Sequence, residues 1–531
     1  MPRIHLVSNL PGASALGDHL RGAGLGPTSA RSADALLVLI DRPLDSGEQD
    51  VLDRARQSVP VLLAGPTLRS LPPDSPLVEA SGLVPGRVTP VHELWLLPGP
   101  DGAEFTTRLG DFRPVDQWVV PDKLADDVEQ LLMVRHELTV HPVCTWRPST
   151  GLGMLTLGSG DRTLADPAYH RLIGRWLRHA LGVRDAPPVR VGLLGTAESA
   201  AFHHMAVDVT EGLEMAAICD GASRPPGRGG DRTVRRIANP ADLVNDSEID
   251  LMIVVTPTHT HTEWAVRALE AGKHVVVEHP FCLTTREADE LTGLAAERGL
   301  ILAVHPDQRD DLGCRALQSS VRAGAIGDVL WLETFQSAYT RPPGTWHDDA
   351  RVSGGAVYDR GFAPLDWILD LLAGPVEWVS ATAHKRVWHH VSNADHTRIL
   401  LHFASGTEAQ ITISDLAAAA LPRFHVIGTA GSIVSEVPTE PVIPGPRPGR
   451  HAERMFATPA VHLNLVAADG SRTRLPLPPA PVTSVFHNQL ADLLVSGWPM
   501  QYTAEVARRV VAVMEAASQS VAAGGGSVAP V

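Results

Sequence analysis

The stretch from Val189 to Ala200 constrains the fold more than any other part of this sequence. It is an apolar run that breaks at Gly195, followed by a small-residue segment with helical character. The pattern predicts a strand, a tight turn and the start of a helix, the arrangement in which backbone N–H groups and the helix dipole meet a pyrophosphate. The spacing Gly195-x-Ala197-x-x-Ala200 is a weakened glycine fingerprint, because alanine at its second position puts a methyl group where phosphates approach. On these residues alone, a strand–turn–helix without a ligand stays equally open.

Length and composition set broad limits. A chain of 531 residues should hold about three domains, each of about 150 residues. The net charge of −15 argues against a general nucleic-acid binder, which needs a basic face. No apolar run approaches a membrane span and no signal peptide opens the chain, so we expect a soluble, cytoplasmic protein without nucleic-acid or membrane partners. Four cysteines without CxxC pairing favour reduced thiols over disulfides or zinc.

Residues 1–185 form the first predicted domain. Its strand-like and helical segments alternate, which predicts a parallel sheet with helices on its faces. The segments are Ile4–Ser8, Ala35–Ile40 and Val59–Ala64 for the strands, and Ser46–Gln57 and Ala168–Leu181 for the helices. Together with His141–Trp146 and Gly151–Gly158, these segments resemble ThuA-like domains, relatives of class I glutamine amidotransferases with a flavodoxin-type fold. A glutaminase needs a cysteine on a sharp strand-to-helix elbow. The elbow here reads Leu63-Ala64-Gly65-Pro66, so we expect a non-hydrolytic, structural or substrate-shaping domain.

A polar, proline-rich join at Arg184–Pro188 separates this domain from the second, residues 189–308. Strands that are apolar throughout alternate there with helices, which predicts a Rossmann-type, doubly wound parallel sheet. The second strand ends at Asp220, where a carboxylate would receive the adenosine ribose hydroxyls. An ordinary strand-end acid or helix cap is the alternative for Asp220. Arg224 could instead meet a 2′-phosphate, so NAD and NADP both stay open.

The third predicted domain covers residues 309–522, and a glycine-rich tail at 523–531 is predicted to be flexible. Polar and apolar residues alternate along several of its strand-like runs. These runs are Val329–Tyr339, Val376–His384, Thr397–Phe403, Glu408–Ser414, Arg423–Ile427 and Ser432–Glu436. We expect an α/β domain.

Residues 189–436 resemble the Gfo/Idh/MocA family of NAD(P)-dependent oxidoreductases, and the remainder to about residue 522 fits the C-terminal end of that family. The matching pieces are Gly195; Thr256-Pro257 with His261; Ala271–Val275 leading into Glu278-x-Pro280; Arg309; Gly324-x-x-Gly327; Trp346; and Gly354-Gly355 with Asp359, Gly361 and Asp366. The resemblance implies a Rossmann domain that binds NAD or NADP. It also implies an α/β domain whose open, mostly antiparallel sheet forms the substrate cleft, and often a homo-oligomer. The predicted cofactor contacts are Gly195, Thr196, Ala197, Ala200, Asp220, Thr256, Pro257, His261 and Glu278.

Two positions depart from the family pattern. The lysine of its Glu-Lys-Pro motif is replaced by His279, and the histidine four residues after Asp359 is replaced by Ala363. Histidine exchanges protons near neutral pH but does not carry the permanent charge of lysine. We predict His279 as the catalytic acid/base with Asp359 in support, and His305, Arg309 and Trp346 as substrate contacts. A histidine that merely fills the space of lysine is the alternative for His279, and a helix N-terminal acid is the alternative for Asp359.

These observations predict hydride transfer at nicotinamide C4 with a sugar-like or related small molecule. Glu278-His279-Pro280 also resembles thiazolinyl imine reductases, which implies that C=N reduction is possible at this place. The loss of several family residues keeps a second hypothesis open: a catalytically altered pseudo-oxidoreductase that acts as a cofactor-binding scaffold, or a non-redox lyase or cyclase. The chain has 24 histidines, but none shows the i,i+4 pair with a carboxylate of a zinc helix, so we predict no metal.

Overall fold

The computed structural model groups the chain into two compact units. The first comprises residues 1–188, 210–212 and 488–500, and the second comprises residues 189–209, 213–487 and 501–531. The structure describes residues 3–10, 16–17, 20, 25–27, 29, 32–106, 112–136, 139–164, 166–183, 187–195, 198–220, 234–306, 309, 311–372, 374–419, 421–437, 461–478 and 484–531. The finer division at residues 308 and 309 stays a prediction.

The first unit is built on a mixed eight-stranded sheet. In spatial order its strands are Gly26–Pro27, Arg3–Ser8, Ala35–Leu39, Val61–Ala64, Leu152–Leu155, Thr139–Arg147, Glu129–His136 and Leu96–Pro98. The first five are parallel, in an order typical of flavodoxin-type folds. The last three are antiparallel. The prediction of a parallel sheet therefore holds for the first five strands. The antiparallel strands Thr139–Arg147, Glu129–His136 and Leu96–Pro98 extend one edge of the sheet. The ThuA-like resemblance itself stays a prediction.

Helices and short pairs of strands complete this unit. The helices are Ser46–Ala55, Pro76–Ser81, Asp161–Leu164 and Pro167–Ala180, with 3₁₀ turns at Gly65–Ser70 and Ala103–Thr106. The paired strands are Leu83–Val88 with Val119–Leu124, and His92–Glu93 with Val115–Asp116. The predicted helix at Ser46 begins where Asp45 and Glu48 form a reciprocal capping box, which satisfies two N–H groups of the first turn.

The second unit begins with a six-stranded, all-parallel sheet. Its strands, in spatial order, are Arg235–Arg236, Leu213–Cys219, Val189–Gly195, Leu251–Val255, His274–Val277 and Leu302–Val304. Counted along the chain, this is the 3-2-1-4-5-6 order of a dinucleotide-binding fold. The associated helices are Glu198–Asp208, Pro240–Val244, His261–Glu270 and Thr285–Arg298, with a 3₁₀ turn at Thr258–Thr260. Every residue of Leu251–Val255 is buried, as expected of a strand covered on both faces.

An eight-stranded, mostly antiparallel sheet forms the rest of the second unit. Its strands are Val376–His384, His396–Phe403, Glu408–Ser414, Val329–Ser337, Phe424–Gly428, Gly431–Ser435, Leu463–Ala467 and Arg472–Arg474. Only the pair Val329–Ser337 and Glu408–Ser414 is parallel. The helices are Leu312–Arg322, Ala350–Ser353, Ala356–Asp359, Phe362–Leu371, Val485–Ser496 and Ala504–Ala522, with a 3₁₀ turn at Trp346–Asp348. The first residues of Val485–Ser496 belong to this unit and the rest to the first.

The tail beyond residue 522 pairs with the edge strand Val376–His384 through one isolated antiparallel bridge. Val528 and Val379 exchange two backbone hydrogen bonds of 2.8 and 2.9 Å, and Ser380 donates to the Gly525 carbonyl at 2.8 Å. These contacts were not expected from a composition that is typical of a mobile segment, and the flexibility of the tail stays a prediction.

All four cysteines are buried free thiols in the structure. Among the described residues, no helix is long and apolar enough to cross a membrane.

Candidate active site

The central strand of the parallel sheet ends in a turn that requires glycine. Gly195 has φ of +140°, and a Cβ there would lie 2.1 Å from the Val255 carbonyl oxygen on the neighbouring strand. Only glycine fits such a conformation and approach. The eleven-residue helix Glu198–Asp208 follows and buries Ala200. A glycine turn that leads into a helix at the centre of the sheet fits a pyrophosphate. Thr196 and Ala197 lie outside the described residues.

Asp220 directly follows the second strand of this sheet, as predicted. Its carboxylate pairs with the Arg236 guanidinium at 2.5 Å, and both side chains are partly exposed. A carboxylate at this place fits the ribose hydroxyls of NAD, whereas an arginine beside it fits the 2′-phosphate of NADP. Both cofactors therefore stay compatible with this corner of the site. Arg224 lies outside the described residues.

The predicted pair Thr256 and Pro257 follows the fourth strand in spatial order, and His261 begins the next helix. The His261 ring lies with Nε2 2.7 Å from the Thr256 carbonyl oxygen and Nδ1 2.9 Å from that of Pro280. It is fully buried, and burial lowers its pKa. His261 therefore links the two segments that follow neighbouring strands, and its predicted cofactor contact stays a prediction.

Glu278, at the end of strand His274–Val277, lies among buried histidines. Its Oε2 is 2.6 Å from His203 Nε2 and 3.0 Å from His305 Nδ1. His203 Nδ1 lies 2.9 Å from His487 Nε2, and His487 Nδ1 lies 2.7 Å from the Ser484 hydroxyl. The rings of Phe202 and Phe486 pack against this cluster.

The surroundings of this cluster shift the pKa values of its members and favour a charged carboxylate. Burial lowers the pKa of His203 and lowers that of His487 further. Burial alone would raise the pKa of Glu278, but the neighbouring His305 and His203 hold it well below its ordinary value. The resulting state is an ionised carboxylate surrounded by imidazoles in a low-dielectric interior.

The sequence predicts a cofactor contact for Glu278 and a substrate contact for His305, and both roles stay predictions. The structure brings the two residues together: the Glu278 carboxylate and the His305 ring contact each other and are largely buried. The reason is that both residues directly follow adjacent parallel strands, so their side chains meet at one edge of the sheet.

His279 is the next residue and is only partly buried. Its ring stacks on that of Phe362, with centroids 5.4 Å apart and planes 12° from parallel. Its Nε2 lies 3.4 Å from Glu278 Oε1, the oxygen farther from His203. The predicted acid/base therefore stands at the carboxyl edge of the sheet, where ligands bind in open α/β folds, with a carboxylate beside it.

Asp359 lies at the end of the short helix Ala356–Asp359. Its Oδ1 is 2.7 Å from His347 Nδ1, and 52% of the His347 side chain is exposed. The predicted Trp346 stacks on the same imidazole, with ring centroids 3.6 Å apart. The structure therefore places a histidine on Asp359, although position 363 carries alanine.

The Arg309 guanidinium lies between two carboxylates of one helix. Two of its nitrogens bind the Asp366 carboxylate at 2.5 and 2.7 Å, and a third lies 3.3 Å from Asp370. The side chains of Arg309 and Asp366 are 10% and 6% exposed. This bidentate pair attaches Arg309 to helix Phe362–Leu371, and the substrate role of Arg309 stays a prediction.

Sequence reasoning missed three histidines of the site: His203, His347 and His487. His203 and His487 are 284 positions apart in the chain, and no local spacing could connect them. His347 precedes Asp359 by 12 positions, and no regular helix or strand spacing connects the two.

Two family models match this chain in sequence. One, the oxidoreductase family with an NAD-binding Rossmann fold, covers residues 189–305, and the other, the GFO/IDH/MocA C-terminal domain, covers residues 314–434. The uncharacterized oxidoreductase YdgJ of Escherichia coli is 32% identical over 255 residues, which are 46% of this chain and 70% of YdgJ. The chain belongs to the Gfo/Idh/MocA family.

Two further relatives match this chain over nearly their whole length. The scyllo-inositol 2-dehydrogenase (NADP⁺) IolW of Bacillus subtilis is 25% identical over 350 residues, 64% of this chain and 95% of IolW. The solved structure of YPO2259 from Yersinia pestis matches with a TM-score of 0.54 at 27% identity, covering 65% of this chain and 98% of that one. As a Gfo/Idh/MocA protein, the chain is an oxidoreductase that uses NAD or NADP. Both family models begin at or after residue 189 and leave residues 1–188 unmatched.

Proposed function

We propose that this enzyme transfers hydride between NAD(P) and a small polyhydroxylated, sugar-like molecule, with His279 as the acid/base. The observation that supports it most is the position of His279, half-buried between Glu278 and the Phe362 ring at the carboxyl edge of the parallel sheet. Membership of the family supports a redox reaction with NAD or NADP, and His279 would exchange the proton.

The residues that would hold the cofactor lie along one edge of this sheet. The turn at Gly195 and the helix after it would receive the pyrophosphate, and Asp220 with Arg236 would receive the adenosine ribose or its phosphate. When bound, the nicotinamide supplies a hydride donor or acceptor at C4.

His279 would exchange a proton with the oxygen of the reacting carbinol or carbonyl. Stacking on Phe362 fixes the plane of its ring. A neutral imidazole polarises a carbonyl less than the lysine that the family places here, so the reaction depends more on a second polar group.

The Asp359–His347 pair is the candidate for that group. Asp359 accepts from Nδ1 of His347 at 2.7 Å, which leaves Nε2 of the exposed ring as the nitrogen able to contact a substrate. This is the arrangement in which a carboxylate orients a working imidazole. The pair would replace the family histidine that is absent at Ala363.

A sugar-like substrate is supported by the relative IolW, whose name gives a cyclic polyol as its substrate. A hydroxyl-rich ring suits an edge that carries His279, His347 and Asp359, since each can exchange hydrogen bonds with hydroxyl groups. The resemblance of Glu278-His279-Pro280 to imine reductases makes a cyclic imine the second compound class to examine.

The test begins with binding titrations of NAD⁺, NADH, NADP⁺ and NADPH to the full chain. A panel of cyclic polyols, keto-sugars and cyclic imines is then followed by the change in NAD(P)H absorbance. We expect binding of at least one reduced form and turnover with a polyol or keto-sugar. His279→Ala should lower turnover by about 10²–10⁴-fold while cofactor binding is kept. His259→Ala, at an exposed position, is the matched control and should behave as wild type.

Failure to bind any nicotinamide form would overturn the proposal entirely. Tight binding without turnover on the whole panel would overturn the catalytic part and favour a cofactor-binding scaffold. Turnover of imines alone would replace the substrate class. An unchanged rate in His279→Ala would remove His279 from the mechanism.

A further inference from the structure

Three ligand atoms of metal-binding types converge beneath the carboxyl edge of the parallel sheet. They are His203 Nε2, Glu278 Oε2 and His305 Nδ1, and they all lie within 4.8 Å of one another. Each comes from a different element: the first helix after the glycine turn, and the ends of two neighbouring strands. All three residues are at least nine-tenths buried.

We propose that His203, Glu278 and His305 bind one divalent first-row transition-metal ion, with Zn²⁺ as the first choice. Two imidazoles and one carboxylate form a ligand set that Zn²⁺ and Fe²⁺ use in proteins, with at least one coordination position left for water or another ligand. The site shares Glu278 with the surroundings of His279, but the metal proposal does not depend on the redox proposal.

The charge of the cluster supports a cation. Among the residues that the structure describes, only histidines contact the Glu278 carboxylate, and no lysine or arginine pairs with it. A buried carboxylate without a positive partner is strongly disfavoured. A bound divalent ion would supply that charge, and a proton held on one of the imidazoles is the competing explanation.

The hydrogen bond at the other ring nitrogen of His203, Nδ1, fits the role of a metal ligand. A ligating histidine donates its other ring N–H to an acceptor, which fixes the ring and its tautomer. His203 Nδ1 lies 2.9 Å from His487 Nε2, and His487 Nδ1 lies 2.7 Å from Ser484 Oγ. If both imidazoles donate toward Ser484, His203 Nε2 presents its lone pair to the ion.

The same chain of hydrogen bonds can also run in the opposite direction. Ser484 would then donate to His487, His487 to His203, and His203 Nε2–H to Glu278, which is the arrangement without metal. The distance of 2.6 Å between His203 Nε2 and Glu278 Oε2 suits a proton and must widen for an ion. Measurement of bound metal therefore distinguishes the two directions.

The experiment uses the full chain, expressed without a histidine tag and purified without chelators. Metal content is measured by elemental analysis. Protein stripped with chelator is then titrated with Zn²⁺ against a chromophoric competitor, and with Co²⁺, whose visible absorption reports its coordination. We expect about one equivalent of Zn²⁺ and a Co²⁺ spectrum of low coordination number.

The variants His203→Ala, Glu278→Gln and His305→Ala should lose the tight equivalent. His204→Ala is the matched control, because its neighbour His203 supplies the ligand, and it should retain the metal. His279→Ala should also retain it, which separates this proposal from the catalytic one: that variant loses turnover but not metal. His487→Phe should weaken metal affinity by about 10–100-fold, since it removes the group that orients His203.

Fewer than about a tenth of an equivalent in folded wild-type protein, both as isolated and after titration, would overturn the site. Equal binding by wild type and the three ligand variants would also overturn it, since the ion would then sit at other histidines. If a ligand variant fails to fold, the wild-type Co²⁺ spectrum and the His487→Phe affinity still decide the question.

Discussion

The Nδ1 atom of His347 lies 2.7 Å from Oδ1 of Asp359, and more than half of the His347 side chain is exposed. The carboxylate fixes the ring and leaves Nε2 as the reactive nitrogen. If this pair works on the substrate, His347→Ala and Asp359→Asn should each lower kcat/KM by about 10²-fold or more.

The double variant tests whether the two residues act as a unit. We expect the combined loss to be no larger than the greater single loss, because residues that act together are not additive. Additive losses would show two independent roles, and His390→Ala, on a neighbouring loop histidine that contacts the Pro342 carbonyl oxygen, serves as the control.

Gly195 and Gly272 form a matched pair for the turn that would hold the cofactor. Both have positive φ, but only at Gly195 would a Cβ collide with a neighbour, the Val255 carbonyl oxygen, whereas nothing lies within 4 Å at Gly272. Gly272→Ala should cost about 1–2 kcal/mol of the free energy of unfolding from backbone strain alone. Gly195→Ala should cost about 3 kcal/mol and abolish nicotinamide binding. Equal stability and retained binding in both variants would contradict the role of this turn.

The Asp220–Arg236 pair at 2.5 Å should set the preference between NAD and NADP. A carboxylate favours the free ribose hydroxyls and repels a 2′-phosphate, while an arginine attracts it. Asp220→Ser should therefore weaken NADH binding and strengthen NADPH binding, which shifts the ratio of the two Kd values by about tenfold or more toward NADPH. Asp242→Ser, at an exposed helix position, is the control and should leave the ratio unchanged. No change in the ratio for Asp220→Ser would place the ribose elsewhere.

Much of the fold of the second unit could be predicted from the sequence. The strands Val376–His384 and Glu408–Ser414 match their predicted bounds, because alternation of polar and apolar residues marks a half-buried strand directly. The pairing of the C-terminal tail and the strand Leu463–Ala467 were not predicted. Both depend on partners that are distant in the chain, and local composition does not identify such partners.

The residues of the candidate site were also only partly predictable from the sequence. The sequence placed His279 at the carboxyl edge of the parallel sheet, because a residue that follows a buried parallel strand lies there. It did not predict the partners of three further residues. Glu278 contacts His203 and His305, and Arg309 binds Asp366. A side chain that follows a strand can point into the interior or toward solvent, and only the packed structure decides between the two.

Removal of one partner from the bidentate contact between Arg309 and Asp366 should strongly destabilise the fold. Both side chains are nearly buried, so Arg309→Met would leave the Asp366 carboxylate without its partner. We expect a loss of about 3–5 kcal/mol in the free energy of unfolding, measured by chemical denaturation. Arg351 provides the contrast: it pairs with Asp349 but is 89% exposed, so Arg351→Met should leave the free energy of unfolding nearly unchanged. Similar losses for both variants would contradict the argument from burial.

The stability of the second unit should depend on pH through Asp395, whose side chain is 1% exposed. Burial alone would raise its pKa, but the N–H groups of Val387 and Arg386 and the ammonium of Lys385 hold the pKa at about 2. Because the folded pKa is below the ordinary value of 3.8, the stabilisation is complete above about pH 4 and is lost as pH falls toward about 2.

Asp395→Asn should therefore lower the free energy of unfolding by about 2 kcal/mol at neutral pH, with the difference from wild type shrinking as pH falls from about 4 to about 2. Denaturant titrations at a series of pH values measure this directly. Glu290→Gln, on an exposed helix face, is the control and should follow wild type at every pH. A constant difference across that range would show that the amide substituted for Asp395 costs stability through packing rather than through loss of the charge that the three donors bind.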